Sequence, residues 1–151
     1  MTKAVLFDFD ETLQDRTKAF EGYMDAFLKK YLPDLDEETK KKYKEEYLPN
    51  ILQKEREAHK QDMRITGNGG YVNRVEWCTN LVKMWGWENA PDATVLANHY
   101  DYNFGDFNVI FENSIPLLKE LKARGYLTGV ITNGPSVLQN HKMDTSGLRP
   151  Y

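Results

Sequence analysis

A chain of 151 residues has room for one domain or two small ones. Its 20 Lys and Arg against 23 Asp and Glu leave a formal charge of −3, which offers nucleic acid no basic footprint. The one cysteine, Cys78, cannot form an internal disulfide, in keeping with a reducing compartment. No apolar run reaches membrane-spanning length, and Met1-Thr2-Lys3 ahead of a short apolar stretch is no signal peptide. The expected protein is therefore soluble and cytoplasmic, with no membrane or nucleic-acid partner.

The chain begins with Ala4-Val5-Leu6-Phe7, too short for a helix and suited to a buried strand of a parallel sheet. Asp8-Phe9-Asp10-Glu11-Thr12 follows directly. Residues two apart in an extended segment point the same way, so Asp8 and Asp10 face one space beyond the strand's end. Open α/β sheets hold their ligands there. Two carboxylates aimed at one site repel unless a cation sits between them, and a hard divalent ion is the natural choice. One aspartate is then free to act as a nucleophile and the other to move protons. An ordinary acidic turn would carry the same residues, but the apolar strand immediately ahead favours a site.

A helical region follows. Phe20, Tyr23, Met24, Phe27, Leu28 and Tyr31 recur at helical spacing until Pro33. Asp36 is placed to cap a second helix whose lysines form a solvated face. Pro49 breaks that segment, and Ile51 to Lys60 is again helical in pattern. Gly67-Asn68-Gly69-Gly70 has no strand before it and no Lys-Ser or Lys-Thr after it, so it is expected to join helices rather than cradle phosphate. Val72, Val75, Cys78, Leu81, Val82 and Trp85 then lie near one side of an amphipathic helix with Gly86 as its C-cap. Cys78 falls on the packed face, and Trp77, Trp85 and Trp87 have the spacing of core residues. After Pro91 a further helix spans about 92–102. His59, His99 and His141 are scattered and form no metal site.

Near Gly105 the pattern changes back. Ser114 can cap a helix carrying Leu117, Leu118 and Leu121, ended by Gly125. Residues 126–131 form a second apolar strand that meets Thr132-Asn133-Gly134. Helix followed by strand is half of a right-handed β-α-β unit, which predicts a strand parallel to the first. Ser136 starts another helix reaching about Met143. A hydroxyl and an amide between a strand end and a helix N-terminus make a natural phosphate seat.

The strand-ending Asp8-Phe9-Asp10-Glu11-Thr12 resembles the first signature of the haloacid dehalogenase-like (HAD) superfamily, and Val130-Ile131-Thr132-Asn133-Gly134 resembles the second. The helical block between them resembles the cap that some members insert after the first motif. The resemblance implies an α/β fold: a Rossmann-like parallel-sheet core, incomplete here, formed by residues 1–15 and 108–151. An all-helical cap would occupy residues 16–107. It further implies that Asp8 is the nucleophile and a Mg²⁺ ligand. Asp10 would be the acid/base, with its backbone carbonyl also on the metal. Thr132 and Asn133 would hold the transferring phosphoryl group.

Within the superfamily an aspartate two residues after the nucleophile is a mark of phosphatases and phosphomutases, not of dehalogenases. Physically, an alkoxide leaving group needs protonation and a halide does not. Thr12 is similar to the phosphatase variant. The implied activity is Mg²⁺-dependent hydrolysis of a small-molecule phosphate ester, a nucleotide first among candidates, through an aspartyl phosphate. Two alternatives are a phosphomutase and a non-catalytic fragment. The family's phosphatases also use a later lysine and later aspartates. Lys142 and Asp144 follow no strand and do not match them, so the chain is expected to be the N-terminal part of a longer hydrolase. As it stands, such a chain would be nearly inactive and only marginally folded. Arg64 and Arg74, in the cap, could meet an anionic leaving group but are expected at the surface.

Overall fold

The computed structural model describes residues 3–46, 53, 57, 60 and 73–151. Strand β1 (Ala4–Phe7) pairs with β2 (Leu127–Val130) in parallel, in register from Ala4↔Leu127 to Phe7↔Val130. The expected parallel neighbours are therefore present. Helix α5 (Ser114–Ala123) feeds β2 through Gly125, whose φ of 78° is the left-handed turn that glycine adopts most readily.

The strands were expected to be buried, and they are not. Leu6, Leu127 and Ile131 are 63%, 61% and 64% exposed. The register puts them on one side of the pleat. On the other side Phe7 and Val130 pack on a core of Phe9, Leu13, Leu118 and Leu148. Among the described residues the sheet has two strands and one covered face. An apolar run records how a strand could be used, not whether a layer covers each of its faces.

Helix α1 (Arg16–Tyr31) starts at Asp15, whose carboxylate accepts the Lys18 backbone N–H at 2.9 Å. That bond holds the Asp15 pKa below the usual carboxylate value. Phe20 and Tyr23 pack on Phe104, in a 3-10 turn (Phe104–Phe107), with ring centroids 6.3 and 5.8 Å away. Helix α6 (Ser136–Thr145) closes this part of the chain. Ser114 does not cap α5 with its side chain. Its hydroxyl donates instead to the Leu13 carbonyl at 2.8 Å, tying the loop after β1 to the helix before β2.

Two compact units emerge from the Cα packing: residues 1–23 with 101–151, and residues 24–100. The first division falls inside α1, past residue 15, where the sequence had suggested the insert begins. In the helical unit, residues 37–46 (α2) are helical and Asp36 caps them as expected, accepting the Thr39 N–H at 2.8 Å. Tyr43 stacks on Trp85 at 4.2 Å. Helix α3 (Arg74–Trp85) is capped by Asn73 and ends at Gly86, φ 60°. Cys78 is buried in it as expected, whereas Val75 is 38% exposed. Helix α4 (Ala93–Asn103) begins after Asp92, whose side chain accepts the Thr94 N–H. Arg74 is not a surface arginine: it is 7% exposed, with its guanidinium over the Trp77 and Tyr100 rings at 4.6 and 4.1 Å. Pro49, Gly67 to Gly70, His59, Arg64, Val72 and all of Ile51 to Lys60 except 53, 57 and 60 lie outside the described residues. Those three residues are helical.

Candidate active site

The two strand ends are level. The Ile131 N–H donates to the Phe7 carbonyl at 2.8 Å, so Asp8 and Thr132 are each the first residue beyond the last bonds of the ladder. After Asp8 the chain folds tightly. The N–H groups of Leu13 and Gln14 donate to the Phe9 carbonyl at 3.0 and 3.2 Å. Phe9 and Leu13, at 0% and 1% exposure, anchor this loop in the core while Asp8 stays exposed and Asp10 half-buried. Glu11 takes the left-handed conformation at φ 58°, uncommon for a residue with a side chain. Its carboxylate accepts the Thr17 N–H at 3.0 Å, linking the loop to the first turn of α1.

The two acids have different surroundings. Asp8 Oδ1 accepts the Phe9 N–H at 2.8 Å. Asp10 Oδ1 accepts from Gln14 Nε2 at 2.5 Å and from Lys142 Nζ at 2.5 Å. The Lys142 side chain is 2% exposed. Burial pulls its pKa below the usual lysine value, opposed by the charge and hydrogen bond of Asp10; Arg16 adds to the depression and Asp8 opposes it.

Gln139, one helical turn before Lys142, joins this pair to the second motif. Its Oε1 accepts from Lys142 Nζ at 3.2 Å and from the Thr132 hydroxyl at 3.4 Å. Its Nε2 donates to the Asn133 carbonyl at 2.7 Å. Gly134, φ 124°, lets the amide approach: a Cβ there would lie 2.8 Å from Gln139 Nε2. Thr132 is half-buried and Asn133 exposed, between β2 and the N-terminus of α6. Asp8, Asp10, Thr132 and Asn133 therefore all lie at one end of the strand pair.

Among the described residues no three His, Cys, Asp or Glu side chains cluster as a metal cage. The donors suited to a hard cation are the exposed Asp8 carboxylate and the Asp10 carbonyl, to which no described backbone group donates. Those two oxygens fit Mg²⁺, which commonly keeps several waters and one or two carboxylates. The Asp10 carboxylate is already engaged by an ammonium. His99 sits against Phe27 and Tyr31 in the helical unit, and His141 pairs with Asp106 at 3.0 Å. Asp144 pairs with Arg149. An open cleft lined by Leu32, Tyr43, Trp85 and Trp87 lies within the helical unit and contains none of the site residues.

Residue reasoning missed Gln14, Gln139 and Lys142. A signal was present for two of them: residues three apart share a helix face, and α6 starts at the second motif. What that face meets was not visible.

The family model for haloacid dehalogenase-like hydrolases matches residues 2–151. No curated protein matches the chain. Among solved structures, the chain resembles that of Bacillus subtilis YfnB, a protein assigned to the HAD-hydrolases and crystallised bound to magnesium. The TM-score is 0.69 and the identity 23%, covering 99% of this chain and 61% of that one. A haloacid dehalogenase-like hydrolase from Xanthomonas campestris matches with a TM-score of 0.49 and 17% identity, covering 99% of this chain and 58% of the other. The chain thus spans less than two thirds of the length of either protein. The family match runs through both strand-end motifs and the helical block between them: this chain belongs to the haloacid dehalogenase-like hydrolases.

Proposed function

We propose that the chain carries the nucleophile half of a Mg²⁺-dependent phosphatase acting on a small cytoplasmic phosphate ester, a nucleotide being the first to assay. The supporting observation is the convergence of Asp8, Asp10, Thr132 and Asn133 at the level ends of two parallel strands. In this reading Asp8 attacks phosphorus with Oδ2, its Oδ1 being held by the Phe9 N–H. The bond from phosphorus to the ester oxygen breaks as the new one forms, and that oxygen takes both the electron pair and a proton from Asp10. Asp10 then accepts a proton from water as the water oxygen attacks the aspartyl phosphate, freeing Asp8 and inorganic phosphate. Thr132 and Asn133 steady the phosphoryl oxygens. Bound Mg²⁺, held by Asp8 and the Asp10 carbonyl, would neutralise charge on those oxygens.

The test is hydrolysis of an aryl phosphate with Mg²⁺ and in excess EDTA, beside Asp8→Asn. In a catalytically complete form, turnover should need the metal and vanish in the variant, which keeps the shape but loses the nucleophile. Undiminished hydrolysis in EDTA, or near wild-type rates in Asp8→Asn, would refute the reading.

A further inference from the structure

We propose that Lys142 is a positioning residue of this site: with Gln14 it clamps Oδ1 of Asp10, so that Oδ2 is the oxygen that passes the proton to the leaving group. The inference rests on the phosphatase reading above.

Lysines are almost never fully buried, because the ammonium loses its water unless a partner replaces it. Lys142 is 1% exposed on a helix with open faces nearby, where solvent would be the cheaper place for it. Its partner is not an arbitrary carboxylate but the second aspartate of the first motif. Two buried donors converge on the same oxygen: Lys142 Nζ at 2.5 Å and Gln14 Nε2, from a residue 0% exposed, at 2.5 Å. A carboxylate held by two donors on one oxygen cannot spin about its last bond without breaking both. The ammonium is itself braced, with Gln139 Oε1 at 3.2 Å and the Phe9 ring centroid at 4.9 Å. Gln139 in turn holds Thr132 and the Asn133 carbonyl. The clamp therefore sets where the proton is delivered and ties that point to the phosphate seat.

A role in aiming the proton has a signature that simple structural support lacks. An ester whose leaving group is stable as an anion needs no proton, whereas an alkyl phosphate does. In a catalytically complete form that also carries the family's later lysine and aspartates, with Mg²⁺, kcat/KM for 2,4-dinitrophenyl phosphate and for a simple alkyl phosphate would be compared in wild type and Lys142→Met. This ratio reports only the steps up to phosphorylation of Asp8. The alkyl ester should lose about a hundredfold and the dinitrophenyl ester less than about threefold. In an Asp10→Asn background Lys142→Met should add no further selectivity. If Lys142→Met does not fold, Gln14→Met carries the same comparison, with a smaller selective loss on the alkyl ester. Equal losses on both esters would make Lys142 a structural ion-pair partner only and overturn the inference, as would no loss on either. A complete wild-type form that hydrolyses neither ester would instead refute the phosphatase reading, and the role built on it.

Discussion

Replacing Gly105 by alanine should destabilise the strand-bearing unit, while the same change at Gly22 should not. Gly105 is buried in the 3-10 turn against α6. A Cβ there would lie 2.4 Å from His141 Cδ2 and 3.0 Å from the His141 backbone carbon. The imidazole can swing aside, but the backbone cannot. Three hydrogen bonds fasten α6 at this point: Thr145 Oγ1 to the Gly105 carbonyl at 2.6 Å, and Asn108 Nδ2 to the Lys142 carbonyl and to Thr145 Oγ1, each at 2.7 Å. Overpacking of this kind costs about 1–3 kcal/mol. At about 2–4 °C per kcal/mol for a chain of this size, Tm should fall by roughly 2–12 °C. At Gly22, inside α1, a Cβ would meet Phe107 Cδ1 at 3.4 Å, an ordinary contact. Alanine there should gain about 0.5–1 kcal/mol from helix propensity. Calorimetry or circular dichroism on both variants decides the matter. A Gly105→Ala Tm equal to or above wild type would refute the packing described for α6.

Asp10→Asn should slow alkyl phosphate turnover by about 10²–10⁴, the usual worth of a positioned acid, measured as kcat under Mg²⁺; a loss below tenfold would take Asp10 out of the proton path. Calcium should replace Mg²⁺ poorly, because its larger and looser shell misplaces the attacking carboxylate, and fluoroberyllate should inhibit; equal rates in the two metals would count against Asp8 as both ligand and nucleophile. His99 should make the helical unit acid-sensitive. Burial, and then the charge of Lys30, hold its pKa below the usual histidine value, so the unfolded chain binds the proton more readily. Stability should therefore fall as pH drops below about 6.5, with the penalty absent above it. His99→Phe should flatten Tm between about pH 7 and 5; an unchanged slope would mean that His99 does not couple folding to pH. The cap aspartates Asp36 and Asp92, whose pKa values are lowered by backbone N–H bonds, lose their contribution only at lower pH, below about 4.

Much of this was legible in the residues, and for identifiable reasons. Ala4–Phe7 could be recognised because four apolar residues in a row are too few for a helix, and Leu127–Val130 because a short, largely uncharged stretch lies between Gly125 and Asn133-Gly134. Their parallel pairing followed from the helix before the second strand. Asp36 and Gly86 behaved as caps because a cap is decided within one helical turn. Exposure was harder. Leu6, Leu127 and Ile131 are as apolar as any core residue, and they are open because they lie on the face of the sheet opposite the described core. Arg74 failed as a surface residue for a related reason. Its stem and guanidinium can lie on aromatic rings, and nothing local to α3 announces that Tyr100 will be there.

The repulsion between Asp8 and Asp10 shows the same division between local and distant causes. Two acids two residues apart demand positive charge, and that much can be said from the sequence. A metal ion was the only donor of charge that local reasoning could name, since a lysine far along the chain on a short polar helix has every appearance of a solvated one. The fold brings that lysine back and spends it on one acid only. Asp10 is neutralised from within by Lys142, on an oxygen that Gln14 also holds, whereas among the described residues the exposed Asp8 accepts one backbone N–H. In the proposed reading, a cation arriving from solvent meets one carboxylate still in need of it, beside a second that passes the proton through its other oxygen. In that reading two chemically identical side chains take two roles because different donors reach them, and the donor that separates the roles comes from the helix that follows the second strand.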